Sequence, residues 1–356
     1  MPDILLFGAT GYTGRLTAEA LAARSADFAI AGRNPAKLER LAQSCGSPET
    51  RVVSVGDVDG LVRALADVKV LITCVGPFVE LGDTAAEAAI RAGVHYVDST
   101  GEVTFIERLI EHYDARAKAA GVTMAPALGF DEVPADSAAT LACEGMTEAE
   151  LVLTYALPSV GSRGTVKSAL GILTAGGTWI SNGRPKTIRA GESTRWSPMP
   201  PPLGPKQAVG FPLAEGRLAP LHLDLRTLET YVTSDAVQRN LMRVGLPLLR
   251  LAGRAGGEKL MHAAVDRIPE GPNDRQRQGK WTILAEARSG DTWRNVAISG
   301  ADVYGLTAQF LSTGALALTR ERSEPGVVSP VQAVGIQTWQ KEFEERGVAV
   351  DIYEQR

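Results

Sequence analysis

Gly8-Ala9-Thr10-Gly11-Tyr12-Thr13-Gly14 comes directly after a short apolar run, Ile4 to Phe7, and directly before a helical pattern that starts near Arg15. In a strand–turn–helix unit each glycine of such a stretch has its own role, with a tight turn at Gly8, close approach of backbone to a diphosphate at Gly11, and close helix-on-strand packing at Gly14. The helix that follows offers free amide groups and the positive end of its dipole to an anion. A glycine triplet alone also fits an ordinary turn. The strand before it and the helix after it favour the nucleotide-binding reading.

Outward from this turn, short β-branched runs alternate with helical patterns. Strands read at Phe28 to Ala31, Val52 to Val55, Val70 to Val75, Tyr96 to Asp98 and Val122 to Ala125. Continuous apolar runs separated by helices indicate a parallel sheet buried on both faces. The expectation is an α/β fold with a Rossmann doubly wound parallel sheet over residues 1–128. Beyond Ala127 the rhythm changes. Leu151 to Leu157 alternates like a strand, Gly164 to Ile180 can be helical, and Pro198 to Pro205 is a proline-rich loop. Two strand-like runs between Trp281 and Ser299 flank the turn Arg288-Ser289-Gly290-Asp291, and a helical run follows from Asp302 to Thr319. This second part, residues 129–329, reads as an α+β domain with a mixed or antiparallel sheet. The tail has a helical period from Pro330 to Arg346 and a strand-like end, Val348 to Tyr353.

Composition bounds the partners. The chain has 356 residues, enough for two domains, and its 44% hydrophobic and 22% charged residues with a formal charge of -4 give no electrostatic reason for a nucleic-acid partner. The apolar run after Met1-Pro2-Asp3 is too short for a signal peptide, and no uninterrupted apolar run approaches the roughly 20 residues that cross a bilayer. Cys45, Cys74 and Cys143 are widely spaced and odd in number. They suit a reducing, cytoplasmic setting and neither a disulfide framework nor a zinc site.

The second strand run ends in Ala31-Gly32-Arg33-Asn34, with Lys37 close behind. An NAD-binding chain carries an acidic residue here for the ribose 2′-hydroxyl. A guanidinium instead stacks on adenine and pairs with a 2′-phosphate, so Arg33, Asn34 and Lys37 favour NADP. The plain alternative is solvated charge at the start of a helix opening at Pro35. After the third strand, Asp57 can accept from the adenine amino group.

Four stretches, in this order, resemble the saccharopine dehydrogenase-like NAD(P)-dependent oxidoreductases, and among them the trans-acting enoyl reductase branch. They are Gly8 to Gly14, Cys74-Val75-Gly76-Pro77-Phe78, His95-Tyr96-Val97-Asp98-Ser99-Thr100-Gly101-Glu102, and Gly129-Phe130-Asp131-Glu132-Val133-Pro134-Ala135-Asp136. Shorter stretches at Arg163-Gly164-Thr165, Asp302-Val303-Tyr304-Gly305 and Val328-Ser329-Pro330 are similar too. The resemblance implies a Rossmann domain and an inserted α+β domain that shapes the substrate pocket and much of a homodimer interface. It also implies a C-terminal segment, 330–356, that returns to the first domain. It implies hydride transfer to a polarised C=C or C=N bond, and it names no shared acid or base.

Candidate chemistry gathers at the strand ends. Val75, Gly76, Pro77 and Phe78 follow the fourth strand, at the switch point of an open sheet, where Pro77 would fix the loop and free Phe78 to face the nicotinamide; a plain strand-ending turn is the alternative. Asp98, Thr100 and Glu102 follow the fifth strand and can reach the same edge, with Glu102 equally suited to capping the next helix. Asp131 and Asp136 follow the sixth. A carboxyl near a nicotinamide could hold an ammonium or give a proton, and Asp131 could equally cap a helix. Tyr304 and His222, from the second domain, are further proton donors or plain structural residues.

Other classes find less support. No tyrosine is followed four residues later by lysine, so the short-chain dehydrogenase pair is absent, and neither a nucleophile elbow nor zinc-spaced histidines occur. A non-catalytic NADP(H)-binding redox sensor stays open. Asp235 to Arg254 carries Val237, Leu241, Val244, Leu248 and Leu251 on one helical face and Arg239, Arg243, Arg250 and Arg254 on the other. It reads as a packed helix, or as a lid or peripheral membrane contact for a lipid-like substrate.

Overall fold

The computed structural model describes residues 1–158, 176–235, 278–320 and 323–355. The Arg163-Gly164-Thr165 stretch and the helix expected across Asp235 to Arg254 lie outside them, apart from Asp235 itself. By contacts the chain forms two units. One comprises Met1–Val133 and Val303–Glu342, the other Pro134–Asp302 and Phe343–Arg356.

The first unit is built on β1 (Ile4–Phe7), β2 (Phe28–Gly32), β3 (Glu49–Val52), β4 (Val70–Thr73), β5 (His95–Asp98) and β6 (Thr123–Ala125). All pair in parallel in the order β3-β2-β1-β4-β5-β6, and the two-residue strand Gly326–Val327 adds beside β6. This is the doubly wound order, with its switch point between β1 and β4. The run Ile4–Phe7 is apolar throughout because helices cover both faces. Leu5, Phe7, Ala29, Ala31, Leu71 and Tyr96 join one core cluster with Leu61 and Ala89 from the helices. β3 lies earlier than the expected Val52 to Val55. It is an edge strand and needs only one ladder, which closes where the Val53 N–H donates to the Gly32 carbonyl.

The connecting helices are α1 (Tyr12–Ala23), α2 (Pro35–Ser44), α3 (Val58–Ala64), α4 (Phe78–Ala92), α5 (Val103–Arg108) and α6 (Asp114–Ala120), and α7 (Glu132–Ala142) follows β6. A correction to the expected boundaries concerns helix Val303–Arg320. It belongs to the first unit and packs on α1, with Leu306, Phe310, Leu311 and Ala315 buried. An 18-residue helix apolar on most sides must be covered on most sides, and a sheet face with a neighbouring helix provides that.

The second unit carries a nine-stranded mixed sheet. β7 (Ala149–Ala156) begins it, and the hairpin β8 (Gly177–Ser181) and β9 (Arg184–Ile188) follows. After these come β10 (Thr194–Ser197), β11 (Lys206–Gly210), β12 (Leu225–Thr233), β13 (Trp281–Ser289) and β14 (Thr292–Gly300). β7 and β12 pair in parallel and the remaining pairs are antiparallel. The β13–β14 turn has Gly290 at φ +58° in its first central position, the arrangement that matches strand twist. Where a helix was expected through Ile180, Gly177–Ser181 is a strand. Asn182 and Gly183, both at positive φ, turn it into β9, and Trp179 is buried with its indole N–H on the Thr230 hydroxyl.

The C-terminal helical stretch is two helices, Pro330–Val334 and Ile336–Glu345, separated by Gly335 at φ +88°. The last strand, Ala349–Gln355, pairs with β14 in the second sheet. The tail therefore divides between the units, because a strand-forming end needs a free ladder and β14 offers one.

Candidate functional site in the first unit

The glycine-rich turn is shaped by what its glycines lack. Gly8 lies at φ +82°, and a Cβ there would come 2.7 Å from Val75 Cγ2. A Cβ on Gly14 would strike the Gly8 carbonyl and approach Ala9 Cα to 2.8 Å, so α1 can sit this close to β1 only with hydrogen at that position. Gly11 differs. A Cβ there meets only the Gly8 carbonyl oxygen at 3.4 Å, so the space beside it is open. Gly11 is the N-cap of α1 and no side chain caps the helix. The first amides of α1, beside Ala9, Thr10, Tyr12 and Thr13, therefore form a cradle whose donors and open space fit a diphosphate.

At the end of β2, Arg33 and Lys37 are exposed and form no ion pair with any described residue. Asn34 has a structural role as N-cap of α2, its side chain accepting from the Lys37 amide at 3.0 Å. Asp57 does the same for α3, accepting from the Gly60 amide at 2.8 Å. Both acceptors are thus partly engaged by backbone. Arg33 and Lys37 have the reach and the charge for a 2′-phosphate.

Across the switch point, Val75 and the Cys74 backbone stand against Gly8, Gly76 lies beside the Phe78 ring, and Pro77 is the N-cap of α4 without a side-chain cap bond. Phe78 is turned inward. It is buried and tilted on Phe105 with ring centroids 5.8 Å apart, so it does not face a cofactor as the sequence suggested. An apolar ring at the first turn of a helix finds more contact in the core than at a loop edge.

Glu102 is the N-cap residue of α5, where its carbonyl accepts from the helix, but its side chain makes no cap bond there. Its carboxylate crosses to α4 and accepts from the amides of Phe78 at 3.0 Å and Val79 at 2.9 Å. Thr100 is buried, its hydroxyl accepting from the Glu102 amide at 3.0 Å. Asp98 is fully buried and accepts from the Tyr96 hydroxyl and from the amides of Thr100 and Ala127. Burial pushes its carboxyl up to about 6, against the lowering effect of those three hydrogen bonds and with a smaller push from Glu102. Asp98 ties loops together and is not exposed to a cleft. Asp131, half-buried, directly precedes α7, and its carboxylate lies near Gly129. Buried Glu132 stands against Gly129 and Gly101.

Tyr304, from helix Val303–Arg320, packs edge-on against Tyr12 of the glycine-rich turn, with centroids 5.1 Å apart and planes at 87°. It belongs to the first unit, not the second. In the second unit, His222 Nε2 and Asp136 Oδ1 lie 2.7 Å apart, both largely buried. Desolvation pushes the imidazole down, but the charge and hydrogen bond of Asp136 outweigh it and leave His222 above its ordinary value.

Comparison with known proteins agrees with this geometry. Residues 4–125 match the family described as "Saccharopine dehydrogenase NADP binding domain". The matched residues run from β1 to the end of β6, the six parallel strands with the glycine-rich turn. A probable mitochondrial saccharopine dehydrogenase-like oxidoreductase of Arabidopsis thaliana is 34% identical over 149 residues, 38% of this chain and 33% of that protein. A putative trans-acting enoyl reductase of Mycobacterium tuberculosis is 36% identical over 140 residues, and a trans-acting enoyl reductase of Mycobacterium leprae 36% over 141. The matched part of the chain spans about a third of each of these relatives, 33 or 34%. In fold, the chain is similar along its whole length to the apo saccharopine dehydrogenase (L-Glu forming) of Saccharomyces cerevisiae, with a TM-score of 0.62 at 13% identity and 100% of both chains covered. Residues 4–125 thus carry the sequence similarity, and the architecture of the whole chain is shared as fold.

Proposed function

We propose that the chain is an NADPH-dependent reductase that transfers hydride to a polarised C=C or C=N bond of a small or lipid-like metabolite. The observation that carries this reading is the cradle at the switch point, where Gly8 and Gly14 permit close packing of the turn and Gly11 leaves open space for a diphosphate at the uncapped start of α1. NADPH, when bound, supplies the hydride. The chain's own residues bind and orient it: the amides around Gly11 on the diphosphate, Arg33 and Lys37 on the 2′-phosphate, Asn34 and Asp57 beside the adenosine, and Val75 to Pro77 along the opposite side of the switch point.

Reduction of such a bond also takes one proton. Tyr304 and Asp131 are the donors we favour, because both belong to the unit that holds the cradle, Tyr304 packing against Tyr12 of the glycine-rich turn and Asp131 being only half-buried. Asp98 serves the site by holding loops. The reading includes a cytoplasmic setting, supported by the free thiols of Cys45, Cys74 and Cys143, and a homodimer, supported by the family resemblance. No described helix is long and apolar enough to cross a membrane.

The experiment is a panel of α,β-unsaturated thioesters, enones, imines, and oxo acid plus amine mixtures, followed by NADPH absorbance. Turnover of one of these classes is expected. Turnover of secondary alcohols alone contradicts the reaction class, and tight binding of both redox forms without any turnover supports the sensor instead.

A further inference from the structure

The start of α4 is held from outside its own sequence. Pro77 brings no side-chain cap, and the amides of Phe78 and Val79 are satisfied by the two carboxylate oxygens of Glu102, 24 and 23 residues further along the chain. A carboxylate is a good partner for a helix N-terminus, where amide donors and the dipole both favour negative charge. Glu102 is buried, so the bond pair is shielded from water. The same segment grips α4 at two further points. Phe105 packs on Phe78 and leaves no room for a Cβ on Gly82, while Arg108 donates to the Val79 carbonyl and pairs with Asp83 at 2.6 Å.

The loop from Cys74 to Pro77 lies between this clamped helix and the glycine-rich turn. Its other side touches Gly8, whose missing Cβ would meet Val75 and the Cys74 backbone. Residues on the β2 side of the switch point are suited to the adenosine 2′-phosphate, and the diphosphate belongs at α1. The remaining half of a dinucleotide then lies on the β4 side, over this loop. The N-terminus of α4 is already filled by a carboxylate, so the loop's backbone, and not that helix end, meets the ligand.

We propose that Glu102 is a positioning residue for the nicotinamide half of the cofactor, acting through the start of α4 on the Cys74–Pro77 loop. The proposal rests on the NADP reading above. The test titrates the full chain, as wild type, Glu102→Gln and Glu102→Ala, with NADPH and with adenosine 2′,5′-bisphosphate, which carries the 2′-phosphate and no nicotinamide.

Glu102→Ala is expected to weaken NADPH by about tenfold and leave the bisphosphate unchanged, the size expected for losing charge-assisted hydrogen bonds that act at one remove. Glu102→Gln, which keeps one acceptor, should lose less and carries the test if the alanine variant does not fold. Equal weakening of both ligands, or no change in either, overturns the proposal. A wild type that binds neither ligand overturns the NADP reading itself, a different failure.

Discussion

The Asp98 carboxylate accepts a hydrogen bond from the Ala127 amide at 2.9 Å, and Ala127 sits at φ +64°, in the left-handed region that residues with a Cβ rarely adopt. One buried acid thus fixes the strained corner at which the chain leaves β6, and the Leu128 amide on the Asp98 carbonyl, at 2.7 Å, strengthens the hold. Strain of this kind persists only where surroundings over-determine it.

A pH dependence follows from the same carboxyl. Its folded value is raised to about 6, so the fold favours the protonated form; that contribution is complete below the unfolded value near 4 and is lost as pH rises through about 6. Asp98→Asn removes the titration and keeps an acceptor. The stability of wild type relative to this variant should fall by on the order of 2–3 kcal/mol between about pH 4 and pH 7. Denaturant unfolding across that range checks it, and a difference independent of pH would contradict the assignment.

Two alanine substitutions in the glycine-rich turn should behave differently. Gly14→Ala puts a methyl into the Gly8 carbonyl and Ala9, so it should cost roughly 1–3 kcal/mol of stability. Gly11→Ala meets nothing closer than 3.4 Å and should cost less than about 1 kcal/mol, yet lower NADPH affinity at least about tenfold by filling the space meant for diphosphate. Thermal unfolding beside ligand titration separates the two effects.

In the second unit, His222 should titrate above its ordinary value in wild type and below it in Asp136→Asn, where burial acts without the opposing carboxylate. The raised value means that the pair stabilises the fold at pH below the ordinary imidazole value, and that this is lost as pH rises through the folded one. Imidazole resonances followed by NMR decide it; an unmoved His222 would show that Asp136 does not set its charge.

What could be read from sequence was local. The order of short strands and helices through Ala125 and the turn around Gly290 follow from periodicity and glycine chemistry, which act between near neighbours. The Asn182-Gly183 hairpin also had a local signal, two residues suited to positive φ between Ser181 and Arg184, but the helical periodicity read upstream of it obscured the turn. Other features had no local signal. The crossing of Glu102 to α4, the inward turn of Phe78, and the place of Tyr304 in the first unit depend on partners far along the chain. Asn34 and Asp57 show the same limit in reverse: the residue types suggested ligand contacts, and backbone amides engage their side chains first.

The most direct test of the account is calorimetric titration of the full chain with NADPH and NADH, as wild type and as Arg33→Ala. We predict that wild type binds NADPH at least about tenfold more tightly than NADH, and that Arg33→Ala removes most of this preference by weakening NADPH alone, since a guanidinium–phosphate pair is lost. Equal affinity for the two cofactors, or NADPH binding unchanged in Arg33→Ala, would contradict it.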